Sequence, residues 1–225
     1  MTSNIGGLHS KLGNRYEAKW LVLKLLEVLA GRARSLKVEG IGPEFAGFEA
    51  AVEHDDHVAW HQTKINAPNG NWTLRALERE GVIAAFKRRL EASPTDRCVF
   101  VSQARVVDLQ HLPGKASRSN DEAEFRRSLN KDERAAVDEL ARPWDTDPAT
   151  TREWLTRCSF KVANEEVIDR FTGNYLDFFV EEPSGAFAIL RDHIEQSFNK
   201  TLTKEALRAA FRAGGGLNLK PEALD

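Results

Sequence analysis

Residues 47–64, GFEAAVEHDDHVAWHQTK, decide how the rest of the chain is read. Two alternating, apolar-rich stretches, 47–53 and 58–64, flank the polar group His54-Asp55-Asp56-His57, the pattern of two short strands joined by a turn. Glu49 lies on the first strand. Gln62 and Lys64 sit two apart near the end of the second, and side chains two apart in a strand share a face. An acid on one strand thus meets an amide and an ammonium on the next, if the strands pair in that register. Taken alone, the same residues equally suit a polar sheet face turned to water.

Outward from this hairpin, residues 14–30, NRYEAKWLVLKLLEVLA, form a helix with apolar residues on nearly every side. It is expected to be largely buried, with Glu17, Lys24 and Glu27 on a narrow polar stripe, and Gly31 ends it. SLKVEG, 35–40, is a first strand that closes on Glu39. NAPNGNW, 66–72, is dense in turn formers and reads as a loop. Residues 74–92 form a second helix rich in Arg and Lys, and RCVFVS, 97–102, is a strand with a β-branched, apolar centre.

Beyond Gln103 the pattern turns helical, over 121–142, 149–158, 164–171, 186–198 and 202–213, with ARPWDTDP as a linker between the first two. Thr201 or Thr203 suits the N-cap of the last. The expectation is an α/β fold with an αβββαβ core over 1–105 and a helical appendage over 106–225. The appendage would pack on the core or mediate oligomerisation.

The composition, 41% hydrophobic and 29% charged over 225 residues, is that of a water-soluble globular chain with one substantial core. No apolar run is long enough to span a bilayer, and the N-terminus lacks the order of a secretory signal, so the cytosol is the expected compartment. Cys98 and Cys158 show no CxxC spacing and give no zinc or redox pattern. With 32 basic against 34 acidic residues, the net charge is −2 and does not announce a nucleic-acid binder. A DNA-binding surface would need local clustering, for which Arg75, Arg79, Lys87, Arg88 and Arg89 are the candidates. The same five residues equally form the solvated face of a helix.

Phosphodiester hydrolysis needs a metal that polarises the phosphate and activates a water, and a cation or base that orients that water. Hard Mg²⁺ takes carboxylate, carbonyl and water oxygens. Glu49 supplies a charged ligand, the Gln62 amide oxygen a neutral one, and Lys64 a cation beside the water. Glu17 and Glu39 are further acids upstream. Each also has an ordinary reading: Lys64 as a solvated lysine, Glu17 as a salt-bridged helix acid, Glu39 as a strand-end acid in water.

With GGLHSKLGNRYEAKWLVLKLLEVL carrying Glu17, KVEG carrying Glu39, GFEAAVE carrying Glu49 and AWHQTK carrying Gln62 and Lys64, the first hundred residues resemble the restriction-endonuclease-like, PD-(D/E)xK, superfamily. The nearest resemblance is to the double-stranded-DNA endonuclease domains of bacterial anti-phage effectors of CBASS and Avs type. It covers about half the chain closely. It implies a Mg²⁺-dependent endodeoxyribonuclease, Mn²⁺ substituting, with Glu49, Gln62 and Glu39 as metal ligands, Lys64 as the catalytic lysine and Glu17 as a supporting acid. It also implies duplex DNA as substrate, a dimer or higher oligomer, and a sensor or ATPase partner or fused region. Two departures stand out: Glu49 replaces the usual aspartate, and Gln62 replaces the second acid, which removes one anionic ligand and weakens metal binding. The rival reading is a non-catalytic DNA-binding or protein-interaction module on the same fold.

The remaining lures are ordinary. His54-Asp55-Asp56-His57 reads as polar turn chemistry. The glycines 214–216 lack the strand and helix of a phosphate loop.

Overall fold

The structure, a computed structural model, describes residues 15–38, 42–65, 70–212 and 217–220. The chain gathers into two compact units, one from Met1–Phe45, Ala50–Asp56 and Asn164–Asp225, the other from Ala46–Glu49 and His57–Ala163. Each unit draws on distant parts of the sequence, so the units do not follow a cut at residue 105.

The first unit is built on helix α1, Arg15–Leu29, whose faces are buried almost all round. Its polar positions are neutralised rather than solvated. Lys19 Nζ meets Asp169 Oδ2 at 2.6 Å and Glu165 Oε2 at 2.8 Å, while Lys24 Nζ meets Glu27 Oε1 at 2.6 Å and lies 4.3 Å above the Trp20 ring. A buried ammonium is tolerated only with such partners. Strands β1, Ser35–Val38, and β2, Ala50–Glu53, pair antiparallel with Leu36 opposite Val52. In the turn that follows β2, Asp55 binds Arg34 at 2.7 Å and the His54 ring bonds Arg32 O, the polar turn chemistry expected there.

The second unit holds β3, Val58–Lys64; α2, Leu74–Arg79; α3, Val82–Ala92; and β4, Arg97–Ser102. The expected single helix over 74–92 is two helices. Gly81 adopts φ +74°, a left-handed conformation that breaks the ladder and starts α3. Strands β3 and β4 run parallel, with Gln62 opposite Phe100 and Lys64 opposite Ser102. Phe48, Phe86 and Phe160 stack in series beneath them, and Trp72 meets Phe100 edge-on. Helices α4, Leu112–Arg118; α5, Glu122–Ser128; α6, Lys131–Trp144; and α7, Pro148–Thr156, complete the helical layer. The stretch expected as a linker, ARPW, is the end of α6, with Pro143 inside the helix.

The C-terminal half is not purely helical. Residues Cys158–Val162 form β5, parallel to β4, with Cys98 opposite Cys158. Helices α8, Glu165–Phe179, and α9, Ala186–Glu195, return the chain to the first unit, where β6, Thr201–Thr203, pairs antiparallel with β1. Helix α10, Lys204–Arg212, follows, and Thr203 Oγ1 accepts the Ala206 N–H as its cap. The α/β class stands, with mixed strand directions. Both added strands are short edge strands, which carry too few residues to show a period-two pattern.

Candidate functional site

Glu49 sits at the entry to β2, in the second unit, where its own N–H donates to His61 O at 2.9 Å. Its carboxylate turns to the neighbouring strand: Oε2 accepts the Thr63 backbone N–H at 2.8 Å. Thr63 lies between Gln62 and Lys64, so the Glu49 carboxylate rests on the backbone at the end of β3. Gly47 sets this approach. It adopts φ +89°, and a Cβ there would stand 2.9 Å from the Ala85 Cβ, so only glycine passes without displacement.

Gln62 is 3% exposed, and its Oε1 has no hydrogen-bond partner; the Thr63 Oγ1 beside it is in the same condition. An unpartnered buried oxygen is costly, and the Gln62 Oε1 marks a place where a donor or cation is accommodated; Thr63, the next residue along the strand, faces the other side. Lys64 reaches Glu80 Oε2 at 3.7 Å, both side chains more than a third exposed, a loose and solvent-screened pair. Glu80 was not singled out in the sequence because it stood inside an apparently continuous basic helix. Its place at the break before Gly81 is what brings it to Lys64.

Of the other expected residues, Glu17 lies buried in α1 of the first unit, and Glu39 falls outside the described residues. No group of three His, Cys, Asp or Glu side chains that could hold a metal occurs among the described residues. The donors at hand fit a hard cation thinly: one carboxylate with an oxygen already engaged by Thr63, and one free amide oxygen.

The basic set resolves into separate structural roles. Arg75 faces Glu139 at 3.5 Å, Lys87 pairs with Glu91, and Arg88 Nη2 donates to Ala46 O at 2.9 Å. Arg89 lies 3.9 Å above the Trp60 ring and bonds Asp96, a 4% exposed acid that also accepts the Trp60 indole N–H at 2.8 Å and the Ser93 hydroxyl at 3.0 Å. Arg79 is exposed on α2. Arg88 and Arg89 thus brace α3, while Arg75 and Arg79 stand exposed on α2.

No protein-family profile matches the sequence, and no curated protein matches it. Solved structures do. The Cap4 SAVED/CARF-domain containing receptor of Acinetobacter baumannii, solved with the cyclic trinucleotide 2'3'3'-cAAA, superposes at a TM-score of 0.53 and 13% identity, over 88% of this chain and 45% of that one. Two further structures of it, one without a named ligand and one with 3'3'3'-cAAA, give 0.53 and 14% identity over 88% of this chain and 47% of theirs. The chain thus spans less than half the length of these receptors.

These comparisons correct the family and activity expected from the sequence. The structures that share the fold are described as receptors, two of them holding cyclic trinucleotides; none of these is described as a nuclease or as bound to duplex DNA. The assignments as a restriction-endonuclease-like Mg²⁺-dependent endodeoxyribonuclease, and of duplex DNA as its partner, are withdrawn on that finding.

Proposed function

We propose that this chain is a non-catalytic binding module of a receptor that answers a cyclic oligonucleotide, in the anti-phage setting that the sequence resemblance implied. The observation that carries it is the superposition of 88% of the chain on Cap4 receptors, two of whose structures hold cyclic trinucleotides. The polar site agrees with binding better than with hydrolysis, since the Glu49 carboxylate is engaged by the Thr63 N–H and Gln62 is neutral. Lys64 supplies a cation for a phosphate. Glu49 and Gln62 are the residues that would hold Mg²⁺, or Mn²⁺ in its place, and the ion would add positive charge toward the same phosphate. A cytosolic location suits a receptor for a nucleotide, and no described helix is long and apolar enough to cross a membrane.

Isothermal titration of the purified protein with 3'3'3'-cAAA and 2'3'3'-cAAA tests the reading. Saturable binding supports it, and a Mg²⁺-dependent rise in Tm that Glu49→Ala abolishes supports the ion. Absence of binding overturns it. So does plasmid nicking in Mg²⁺ that Glu49→Ala and Lys64→Ala each abolish, which would return the chain to the enzymes.

A further inference from the structure

Helix α8 presents two apolar stripes. Ile168, Thr172, Leu176 and Phe179 are buried, the ordinary inward face of an amphipathic helix. A second stripe, Phe171, Asn174, Tyr175 and Phe178, recurs at i, i+3, i+4 and i+7 and therefore shares one side of the helix. Phe171 is 48% and Phe178 59% exposed, far more than large aromatics in a closed fold.

This stripe and Arg32 line a groove of about 490 Å³, within the ordinary range of small-molecule sites, roughly 300–1,000 Å³. Its aromatic lining is ordered. The Tyr175 and Phe179 rings lie nearly parallel, 11° apart at 6.2 Å, and Phe178 meets Phe179 edge-on at 4.9 Å. One cation lines it, the Arg32 guanidinium, which stands 5.3 Å from the Tyr175 ring. Burial pushes the Tyr175 hydroxyl up, Glu27 adding to this and Arg32 opposing it, so the phenol keeps its proton and remains a donor.

We propose that this groove binds a nucleotide by its base, the base stacking on the α8 aromatics, the Asn174 amide meeting the base edge, and Arg32 meeting the phosphate. Every base has a π-face that such rings accept, an amide offers both donor and acceptor to its edge, and guanidinium forks match phosphate oxygens. The Arg32 guanidinium in the lining argues for an anionic ligand over a neutral apolar one, and the groove's size argues for a mononucleotide unit over a helix. The proposal rests on the receptor reading only for its ligand class, and it can fail separately.

The test is titration calorimetry of the full chain with adenosine 5'-monophosphate, with ribose 5-phosphate as the base-free control. AMP should bind in the micromolar range, and ribose 5-phosphate about tenfold more weakly or less. Phe178→Ser and Arg32→Gln should each weaken AMP by about tenfold. Phe178 is exposed, so circular dichroism melting should show its variant folded. AMP binding with no loss in either folded variant, or no AMP binding, overturns the proposal. A change of oligomeric state in Phe178→Ser by light scattering, without loss of AMP affinity, also overturns it and makes the stripe a self-association surface. Cyclic trinucleotide bound equally by wild type and both variants sinks the groove and leaves the receptor reading standing. AMP bound through the groove with no cyclic trinucleotide binding does the reverse.

Discussion

The Glu49 carboxylate accepts the backbone N–H of Thr63 at 2.8 Å, so the acid expected to hold a metal is also a structural brace for the strand end. Thr63 is buried, and an N–H stripped of its acceptor there costs about 1–3 kcal/mol. Glu49→Ala should lose that much stability in urea titration. Glu49→Gln keeps an acceptor oxygen and should lose much less. Equal losses for the two would show that the carboxylate's charge, not its bond to Thr63, is what stabilises β3.

Asp96 should be the most sensitive acid of the second unit. Trp60, Ser93 and Arg89 all donate to it, and it is almost fully buried. Removing it leaves a guanidinium and an indole N–H without their partner, so Asp96→Ala should destabilise by about 3–5 kcal/mol. Asp96→Asn keeps one acceptor oxygen, turns the other into a donor and loses the charge, and should fall between it and wild type. Equilibrium unfolding followed by tryptophan fluorescence reads both.

Cys98 and Cys158 stand opposite each other on β4 and β5, both buried. Burial pushes both thiols well above their ordinary value, with Arg157 opposing this at each. The thiolate is the reactive form, so neither should react with Ellman's reagent at pH 8 in the native protein. Both should react as the chain unfolds, in step with the loss of circular dichroism. Rapid labelling of the folded protein would contradict their burial.

His193, on α9 with its ring 5.6 Å from that of Phe211, has its pKa lowered from the ordinary 6.5, first by burial and then by Lys200. The unfolded chain therefore takes up this proton at higher pH than the folded one. The contribution is fully present above pH about 6.5 and is lost as pH falls through the folded value. The Tm should accordingly drop on acidification below that pH, and His193→Gln should flatten this part of the profile. An unchanged slope in the variant would assign the acid sensitivity to other groups.

The strands Val58–Lys64 and Arg97–Ser102 were legible to the residue, because their β-branched and aromatic runs carry a local pattern strong enough to mark both ends. Helix α1 was legible from apolar residues on nearly every side, and in its expected polar stripe of Glu17, Lys24 and Glu27 the lysine is buried against Glu27. The break at Gly81 was hidden because both flanking segments keep helical periodicity, and one left-handed residue interrupts them. Strand β5 was hidden because CSFKV is too short to alternate visibly and becomes a strand only by pairing with β4.

That Gln62 and Lys64 share one face of a strand followed from the sequence by itself, since it needs only a strand and a period of two. What those residues bond to was decided by the tertiary structure alone. The Thr63 N–H against Glu49, Glu80 near Lys64, and Asp96 shared by Trp60 and Arg89 depend on strand register, on a helix break and on burial. These are properties of chain segments brought together from a distance, and no local pattern encodes them. The aromatic stripe of α8 lay beyond the helix expected over 164–171, and both the stripe and its exposure beside Arg32 became visible only with the helix extended to Phe179 and its opposite face buried.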